Sequence, residues 1–308
     1  MITRLHKNGK LLLSGEYAVL DGATALAIPT HYGQKFIFGQ NKTPGQLIWR
    51  ALDHNNVLWF EAEYELDTLN IIRAQEQELA RALQKVLRAA RSLNPNFLAA
   101  AQGFTAESQL DFPRSWGLGS SSTLIAAIAQ WSNTDAFQLS QMSFGGSGYD
   151  IAAADSTGPF TYSIRKNTPE VVPTKLNWPF KNKLYFIHRN QKQNSRQSIA
   201  HYRSHETSND FINEINAITQ DMIKATSAEE FSTLMTVHET LIAKTLKMKP
   251  VKEVLFSDFP GAIKSLGGWG GDFIMALDLE LGPQNNNEFF TQKGFPTVLS
   301  FDQMILHP

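Results

Sequence analysis

Three glycine-rich segments contain the residues whose types and spacing could do chemistry. The first runs from Gly9 to Gly22, the second covers residues 116–123, and the third covers residues 264–272. Glycine has no side chain, so its backbone can approach a ligand closely, and backbone N–H groups at the start of a helix favour an anion. The three segments, in this order along one chain, indicate a protein that binds an anionic ligand such as a phosphate.

The second segment has the form of a phosphate-binding turn. Gly117 and Gly119 permit a tight turn, and three serines follow at the start of an apolar helical run. This arrangement presents N–H groups and hydroxyls to a phosphate, and one serine, Ser121, could reach a bound Mg²⁺. The alternative is a glycine turn followed by a serine N-cap with no ligand, which is the commoner structure for such a motif taken alone.

Two charged residues stand where they could take part in a reaction. Asp150 ends the stretch Gly145-Gly-Ser-Gly-Tyr-Asp and delivers a carboxylate at the mouth of an apolar helical run. It could orient or deprotonate a hydroxyl nucleophile, or it could simply be a helix-start residue that the helix dipole stabilises. Lys10, ahead of a very apolar strand, could pair with a phosphate or a catalytic carboxylate, or could be a surface lysine at a strand edge. Glu16 could be buried and paired, or could be a turn residue.

The third segment has few side chains large enough to pack, apart from Trp269. So many glycines cost chain entropy, which indicates either a close approach of backbone to a ligand or a β-bulge or sharp corner. A basic cluster elsewhere could recognise a phosphate or carboxylate, or could be a solvated loop. Its members follow the strand predicted at residues 184–188: Arg189, Lys192, Ser195 and Arg196.

Length and composition exclude several classes of protein. The chain has 308 residues, of which 42% are hydrophobic and 19% charged, as in an ordinary soluble globular protein. Its formal net charge of −1 gives no reason to expect a nucleic acid partner, and the absence of cysteine excludes disulfides and thiolate metal sites. No apolar run approaches the length needed to cross a bilayer, and residues 1–6 do not resemble a signal peptide. We therefore expect a cytoplasmic protein that does not bind membranes.

Hydrophobic patterns predict mixed strands and helices around the three segments. Residues 1–64 are typical of strands, residues 69–93 have a helical period, and residues 104–112 alternate as in a half-buried strand. We predict a helix over 121–131, strands over 159–164, 184–188 and 272–279, a short helix over 288–293, and a capping box from Ser227 to Glu230. The absence of a regular βαβ order predicts an α+β fold. The proline-containing stretch between 164 and 184 is the best boundary between domains, which we set at 1–175 and 176–308.

The three segments resemble motifs one, two and three of the GHMP kinase superfamily, which includes galactokinase, homoserine kinase, mevalonate kinase and phosphomevalonate kinase. The resemblance extends from Gly9 to about Leu277. Gly15-Glu-Tyr-Ala-Val-Leu20, Gly146-Ser-Gly-Tyr-Asp-Ile-Ala152 and Gly267-Gly-Trp-Gly-Gly-Asp272 are most similar to phosphomevalonate kinases and next to mevalonate kinases. The family implies an α+β fold of two parts, an active site between the N-terminal and C-terminal halves, and transfer of a phosphoryl group from ATP, with Mg²⁺, to a small-molecule acceptor.

The resemblance also implies roles for individual residues. Asp150 would be the catalytic carboxylate and Lys10 its partner near the reacting oxygen. The ATP phosphates would be bound by Gly117, Leu118, Gly119, Ser120, Ser121 and Ser122, with Ser121 as a metal ligand. The acceptor site would include the following residues: Glu16, Tyr17, Ser147, Gly148, Gly267, Gly268, Gly270 and Gly271. Apart from the resemblance, the basic cluster could contribute Lys192, Ser195 and Arg196 to this site by reading a second phosphate on the acceptor, unless it is a solvated loop.

The expected activity is phosphorylation of mevalonate or phosphomevalonate in isoprenoid precursor synthesis. One feature departs from mevalonate kinases, which carry a metal-binding Glu shortly before the catalytic Asp: residues 138–146 contain no acid, and Asp135 is the nearest. Two alternatives therefore stay open: a GHMP kinase for a sugar or another metabolite, and a nucleotide-binding relative with impaired catalysis. A homodimer is compatible with the sequence.

Overall fold

A computed structural model describes residues 2–99, 102–191, 195–269 and 271–306. The chain forms two compact units that interleave along the sequence. Unit 1 consists of Met1–Gly9, Tyr32–Arg114 and Leu118–Asp155, and unit 2 of Lys10–His31, Ser115–Gly117 and Ser156–Pro308. The domain limits expected from the sequence, 1–175 and 176–308, stay a prediction.

Unit 1 contains a sheet in the strand order β5-β4-β3-β6-β2. Strands β3 and β6 are parallel, and the other neighbours are antiparallel. Alternate residues of β3, Leu47, Trp49 and Ala51, are buried, as the period of a strand with one covered face requires. The strands are β1 (Thr3–Ser14, up to Gly9 in this unit), β2 (Ala25–Asn41, from Tyr32), β3 (Gln46–Leu52), β4 (Leu58–Glu65), β5 (Ile71–Ala74) and β6 (Gly103–Leu110).

Four of the helices in unit 1 cover the hydrophobic core: α1 (Gln77–Leu93), α2 (Ser120–Ser132), α3 (Ala136–Ser143) and α4 (Tyr149–Asp155). The predicted helix over 121–131 is confirmed as α2. The predicted helix over 69–93 is wrong in its first part, where Ile71–Ala74 form strand β5 and Ile72 is half exposed. The chain turns at Leu69, whose φ of 55° is incompatible with a right-handed helix.

Unit 2 contains two groups of antiparallel strands. Residues 25–27 of β2 pair with β7, which pairs with β8, and a four-stranded sheet has the order β10-β11-β9-β12. Sequence reasoning missed β8, because its prolines indicated a domain boundary. In the structure, Lys166 and Asn167 both have positive φ and form a two-residue turn that joins β7 and β8 as a hairpin. The prolines are tolerated because β8 is an edge strand. The strands are β7 (Phe160–Arg165), β8 (Thr168–Pro173), β9 (Leu184–His188), β10 (Ala262–Leu266), β11 (Phe273–Leu277) and β12 (Val298–Ser300).

The helices of unit 2 are α5 (Ser195–Arg203), α6 (Asn209–Lys224), α7 (Ala228–Leu246), α8 (Val251–Leu255), α9 (Pro283–Gln292) and α10 (Phe301–Met304). The predicted capping box at the start of α7 is half formed. The Ser227 hydroxyl accepts from the N–H of Glu230, as a capping box requires. The Glu230 carboxylate accepts from the N–H of Thr226 instead of the N–H of Ser227. In the described parts of the chain, no helix combines the length and the apolar character needed to cross a membrane. Helices and two sheets together confirm the α+β class.

Candidate active site

The turn before α2 ends in a helix start without a side-chain cap. Gly117 and Gly119 have φ values of 66° and 94°, in the left-handed region that glycine adopts without strain. Gly119 occupies the N-cap position, and no side chain accepts a hydrogen bond there. The alternative of a serine N-cap is therefore wrong. A helix start whose first N–H groups have no capping side chain is suited to an anion.

The three serines after Gly119 differ in how they are presented. Ser121 is exposed, Ser120 is partly buried, and Ser122 is buried with its hydroxyl donating to the carbonyl of Gly119 at 2.7 Å. The hydroxyls of Ser120 and Ser121 are therefore placed better for a phosphate or a metal than that of Ser122. Leu118 is fully buried and anchors the turn through its side chain.

Asp150 lies in the first turn of α4, in the same unit as Ser121. It is partly buried, and its Oδ1 accepts a hydrogen bond of 3.1 Å from the N–H of Ile151. The helix is entered through Gly148, whose φ is 87° and whose carbonyl accepts from the N–H groups of Ile151 and Ala152. Ser147, just before it, is partly buried. The structure thus presents a carboxylate at a helix start after a glycine turn, as the sequence predicts.

In unit 2 the three glycine-rich segments meet around Lys10. Its ammonium group donates to the carbonyl of Gly117 at 3.0 Å. Lys10, Gly117, Gly267 and Asp272 line one small cavity of about 10 Å³. A Cβ placed on Gly117 would lie 2.2 Å from the carboxyl carbon of Asp272, so position 117 requires glycine both for its φ and for this close approach. The third segment is thereby packed against the first residue of the turn that precedes α2.

A hydrogen bond joins Tyr17 of the first segment to Trp269 of the third. The hydroxyl of Tyr17 accepts from the N–H of Trp269 at 2.6 Å, and both residues are buried. Tyr17 has a φ of 59°, which is uncommon for a residue with a side chain, and its ring stacks on Tyr202 with centroids 5.3 Å apart. Tertiary contacts therefore hold this strained residue in place.

Sequence reasoning missed a buried cluster of charged groups beneath these segments. The ammonium of Lys264 donates to the carboxylate of Glu16, and the N–H of Gly15 donates to Nε2 of His238 at 3.0 Å. Glu239 accepts two hydrogen bonds from Ser265, from its N–H at 3.1 Å and its hydroxyl at 2.8 Å. These side chains are at most 2% exposed. The cluster ties the turn after β1 to α7 and to β10, so Glu16 is paired, and its predicted part in acceptor binding stays a prediction.

Burial sets the protonation of this cluster. It raises the pKa of the Glu16 carboxyl, although the charge of Lys264 opposes the rise, and it raises the pKa of Glu239 in the same way. Burial, assisted by the charge of Lys264, lowers the pKa of His238 well below its usual value. His238 is therefore neutral, which agrees with Nε2 accepting a hydrogen bond from Gly15.

Some of the remaining residues predicted for the acceptor site lie outside the part of the chain that the structure describes. Lys192 and Gly270 lie outside the described residues, and Ser195 and Arg196 begin α5, with side chains that are not described. Arg189 is partly buried, and its backbone N–H donates to the carbonyl of Asp272 at 2.9 Å. The predicted basic cluster therefore stays a prediction. Gly268 and Gly271 lie in the loop between β10 and β11.

No resident metal site is evident in the part of the chain that the structure describes, since it contains no group of three or more acidic or histidine side chains able to hold an ion. Asp135, the acid nearest to the position expected for a metal ligand, caps α3 by accepting from the N–H of Gln138 at 2.7 Å. Mg²⁺ commonly binds through substrate phosphates and few carboxylates. The absence of such a group among the described residues is compatible with a Mg²⁺ that arrives with a nucleotide, and Ser121 as its protein ligand stays a prediction.

Comparison with models of known protein families gives no match, and no curated protein sequence matches the chain. Solved structures do match over nearly its whole length. Mevalonate kinase from Methanococcus jannaschii has a TM-score of 0.71 and 15% identity, covering 100% of this chain and 99% of that one. Phosphomevalonate kinase from Streptococcus pneumoniae, in complex with phosphomevalonate and AMPPNP, has a TM-score of 0.70 and 15% identity, covering 97% and 99%.

Galactokinase from Lactococcus lactis, in complex with galactose, is also similar, with a TM-score of 0.67, 13% identity, and coverage of 95% of this chain and 89% of that one. These proteins are members of the GHMP kinase superfamily. The chain therefore has the GHMP kinase fold, as its three glycine-rich segments predicted. At this level of identity the likeness concerns the fold, and it does not distinguish among acceptors.

Proposed function

We propose that this chain, which has the GHMP kinase fold, is an ATP-dependent kinase that phosphorylates a small-molecule acceptor. The observation that carries the proposal is the start of α2, where two left-handed glycines precede a helix whose N-cap has no side chain. Ser and Asp caps are the usual way to satisfy the first N–H groups of a helix. Their absence here is explained if the phosphates of a nucleotide take that place.

In this proposal each of the predicted site residues has one part in phosphoryl transfer. Backbone N–H groups at Gly119 to Ser122 and the exposed hydroxyl of Ser121 would hold the phosphates of MgATP, whose Mg²⁺ neutralises charge on the transferred group. Asp150 would accept or orient the proton of the acceptor hydroxyl. Lys10, which the structure ties to the carbonyl of Gly117, would supply positive charge near the reacting oxygen. Little covalent chemistry is asked of the protein, since positioning and electrostatics dominate such reactions.

For the acceptor we propose mevalonate or phosphomevalonate, and hence a role in isoprenoid precursor synthesis in the cytoplasm. The support is the pattern of the three segments, above all Tyr17 and the run from Gly148 to Asp150, which resembles those two kinases more than others. Two of the similar solved structures are of a mevalonate kinase and a phosphomevalonate kinase. A sugar kinase is the alternative, since a galactokinase is also similar in structure.

One observation favours a second candidate function, nucleotide binding without catalysis. Residues 138–146 contain no acid, and Asp135 is engaged as the N-cap of α3. If phosphoryl transfer in this fold needs a protein carboxylate on the metal, the chain would bind MgATP and leave it intact. Such a protein would serve a binding or regulatory purpose.

One experiment separates these functions. The purified chain is incubated with MgATP and, separately, with mevalonate, phosphomevalonate or galactose; release of ADP and phosphorylation of the acceptor are both measured. Binding of a non-hydrolysable ATP analogue is measured by calorimetry on the same protein. Transfer to one acceptor supports the kinase, and analogue binding without transfer supports the second candidate. A chain that does not bind the analogue at all contradicts both.

A further inference from the structure

Lys7 of β1 is a buried lysine that no motif indicated. It belongs to unit 1, and its side chain is 2% exposed. Its backbone is closely packed in the sheet, since a Cβ on Gly33 of β2 would lie 2.3 Å from the carbonyl oxygen of Lys7. A buried ammonium group needs partners, because the loss of its hydration is otherwise uncompensated. The identity of these partners therefore shows which elements the residue holds together.

The ammonium group of Lys7 joins two helices of unit 1. It donates to the side-chain oxygen of Gln130 at 2.7 Å, near the end of α2, and to the carboxylate of Asp155, the last residue of α4. Each of these helices begins with residues predicted to act in phosphoryl transfer, Ser120 to Ser122 in α2 and Asp150 in α4. One charged group thus contacts the far ends of the two helices whose starts carry the predicted site.

Helix α2 is anchored to the sheet by other contacts as well. In its first turn the hydroxyl of Thr123 donates to the side-chain oxygen of Gln34 in β2 at 2.7 Å, and both residues are buried. Most of its residues from Ser122 to Ala129 are buried too. The start of α2, where the phosphates are proposed to bind, is therefore fixed without the contact between Gln130 and Lys7.

Helix α4 has fewer constraints of this kind. It has seven residues, which is about 10 Å of helix at 1.5 Å per residue. Its buried side chains are those of Ile151, Ala153 and Ala154, two of which are single methyl groups. Such small groups resist sliding along the helix axis poorly, because they fill no deep hole in the facing surface.

The loop that leads into α4 also allows movement. Gly145, Gly146 and Gly148 have φ values of 71°, 110° and 87°, and glycine has the widest backbone freedom of any residue. A Cβ placed on Gly145 or Gly146 would meet nothing within 4 Å, so the loop is loosely packed at these two positions. The ion pair of Asp155 with Lys7 is therefore a directional constraint at the opposite end of α4.

We propose that Lys7 is a positioning residue, which through Asp155 fixes α4 so that the carboxylate of Asp150 keeps its place relative to the start of α2. This role rests on the proposed kinase function, and it adds to that function a residue outside the three glycine-rich segments. Lys7 acts through Asp155 and is given no contact with nucleotide or acceptor. A displacement of about 1 Å at a reacting group can lower a rate about 10²-fold, so an anchor five residues from Asp150 on one short helix is close enough to matter.

A purely stabilising ion pair is the competing explanation, and three variants separate the two roles. Lys7→Met removes the ammonium and keeps an apolar stem; Asp155, which is 63% exposed, is then hydrated by water, so we expect the fold to survive. Asp155→Ala removes the same contact from the other side, and the double variant removes both partners. Lys35→Met is the matched control, because this lysine of unit 1 pairs at 2.9 Å with Asp111, which belongs to neither helix.

The first measurement is steady-state phosphoryl transfer from MgATP to whichever of mevalonate, phosphomevalonate and galactose the wild type phosphorylates. We expect Lys7→Met and Asp155→Ala each to lower kcat by about 10- to 100-fold, with KM for ATP and acceptor unchanged. The double variant should be no slower than the slower single variant, because both changes remove one contact. A pair that only stabilises the fold would lower the midpoint of urea unfolding and leave kcat of the folded enzyme at its wild-type value.

The second measurement, amide hydrogen exchange, does not depend on turnover. In Lys7→Met we expect the amides of α4 to exchange about 10-fold faster or more, as for the loss of a charge-assisted hydrogen bond. Amides of β3 and β4 in the same unit should keep their wild-type rates, because the effect is a local opening and not global unfolding. Lys35→Met should leave the exchange of α4 unchanged.

Two results would overturn the positioning role. One is a kcat of Lys7→Met equal to that of the wild type, and the other is exchange in Lys7→Met that is unchanged in α4 or rises equally throughout unit 1. A wild-type chain that transfers no phosphoryl group to any acceptor contradicts the proposed function instead. The exchange measurement then still decides whether Lys7 fixes α4, so the two failures are told apart.

Discussion

The backbone N–H of Trp269 donates a hydrogen bond of 2.6 Å to the hydroxyl of Tyr17, across 252 residues of sequence. This bond couples the loop after β10 to the turn after β1, and both residues line a cavity of about 500 Å³ in unit 2. Since Tyr17 holds a positive φ without being glycine, the turn depends on such contacts to keep its shape. The hydroxyl of Tyr17 is thus part of the scaffold of the proposed acceptor site.

Tyr17→Phe should therefore weaken both the fold and the acceptor site. It leaves the buried N–H of Trp269 without this acceptor, which typically costs about 1–3 kcal/mol. We expect a loss of unfolding free energy in that range, measured in urea, and a raised KM for the acceptor. Tyr185→Phe is the control, a buried tyrosine of the same unit that does not line the cavity. Equal effects of the two substitutions would contradict the role given to Tyr17.

Local patterns in the sequence predicted much of the fold and part of the candidate site. The helix after Gly119 and the strand over residues 184–188 were readable because each has a run of apolar residues beside a clear stop signal. Strand β5 was misread as helix, since four residues are too few to establish a period and the turn at Leu69 has no glycine or proline to mark it.

The buried cluster of charged groups was beyond such patterns for a different reason. Glu16 and Lys264 are 248 residues apart, and each is ordinary in its own neighbourhood; only the fold shows that one neutralises the other. His238 and Glu239 lie outside the three glycine-rich segments in the sequence, although each side chain contacts one of these segments. The lysine at the head of the third segment was the available signal, because a charged residue within a strand that is otherwise apolar needs a partner.

Removal of Lys264 should be among the most destabilising single changes in unit 2. Lys264→Met leaves the buried carboxylate of Glu16 without its cation, and breaking a buried pair in this way costs about 3–5 kcal/mol. The double variant Lys264→Met/Glu16→Leu replaces both charges by apolar groups of similar size and should recover most of that loss. Urea unfolding of the wild type, both single variants and the double variant gives the coupling. A single Lys264→Met variant as stable as the wild type would show that the pair contributes little.

His238 should make the folded state sensitive to acid. Its pKa is lowered in the folded state, so below about pH 6.5 the unfolded chain binds a proton there that the folded chain does not. Stability from this residue is therefore complete above pH 6.5 and is lost as the pH falls, by up to about 1.4 kcal/mol per pH unit. His238→Gln keeps an acceptor for the N–H of Gly15 and does not titrate.

The raised pKa values of Glu16 and Glu239 have the opposite effect on the pH dependence of stability. The folded state holds protons on these carboxyl groups at pH values where the unfolded chain has released them, so their contribution to stability is lost as the pH rises. Comparing the wild type with His238→Gln at each pH largely removes this background. We expect the difference in unfolding free energy between the two to change steadily between pH 6.5 and pH 5. The exposed His54→Gln variant is the control. A pH-independent difference would contradict the buried, neutral state of His238.

The start of α2 allows a substitution with opposite effects on stability and on nucleotide binding. Ser121→Asp places a negative charge in the first turn at an exposed position, which should stabilise the helix by about 0.3–1 kcal/mol. The same charge should repel the phosphates of ATP and weaken nucleotide binding by about 10-fold or more, ~1.4 kcal/mol. Ser121→Asn, without the charge, is the control for lost hydroxyl contacts. Calorimetry measures ATP binding, and thermal unfolding measures stability. Unchanged ATP binding in Ser121→Asp would contradict the proposal that the phosphates bind at this helix start.

Asp150→Asn tests the chemistry apart from the binding. The amide keeps an oxygen that can accept from the N–H of Ile151, so the first turn of α4 should survive, but it cannot take the proton of the acceptor hydroxyl. Loss of a positioned acid–base group typically lowers the rate roughly 10²–10⁴-fold. We expect kcat to fall in that range with ATP affinity unchanged. Asp135→Asn is the matched control, because asparagine also caps helices well and the structure gives Asp135 only that role. A kcat close to that of the wild type in Asp150→Asn would show that another group takes the proton. A large loss of kcat in Asp135→Asn would instead support Asp135 as a metal ligand.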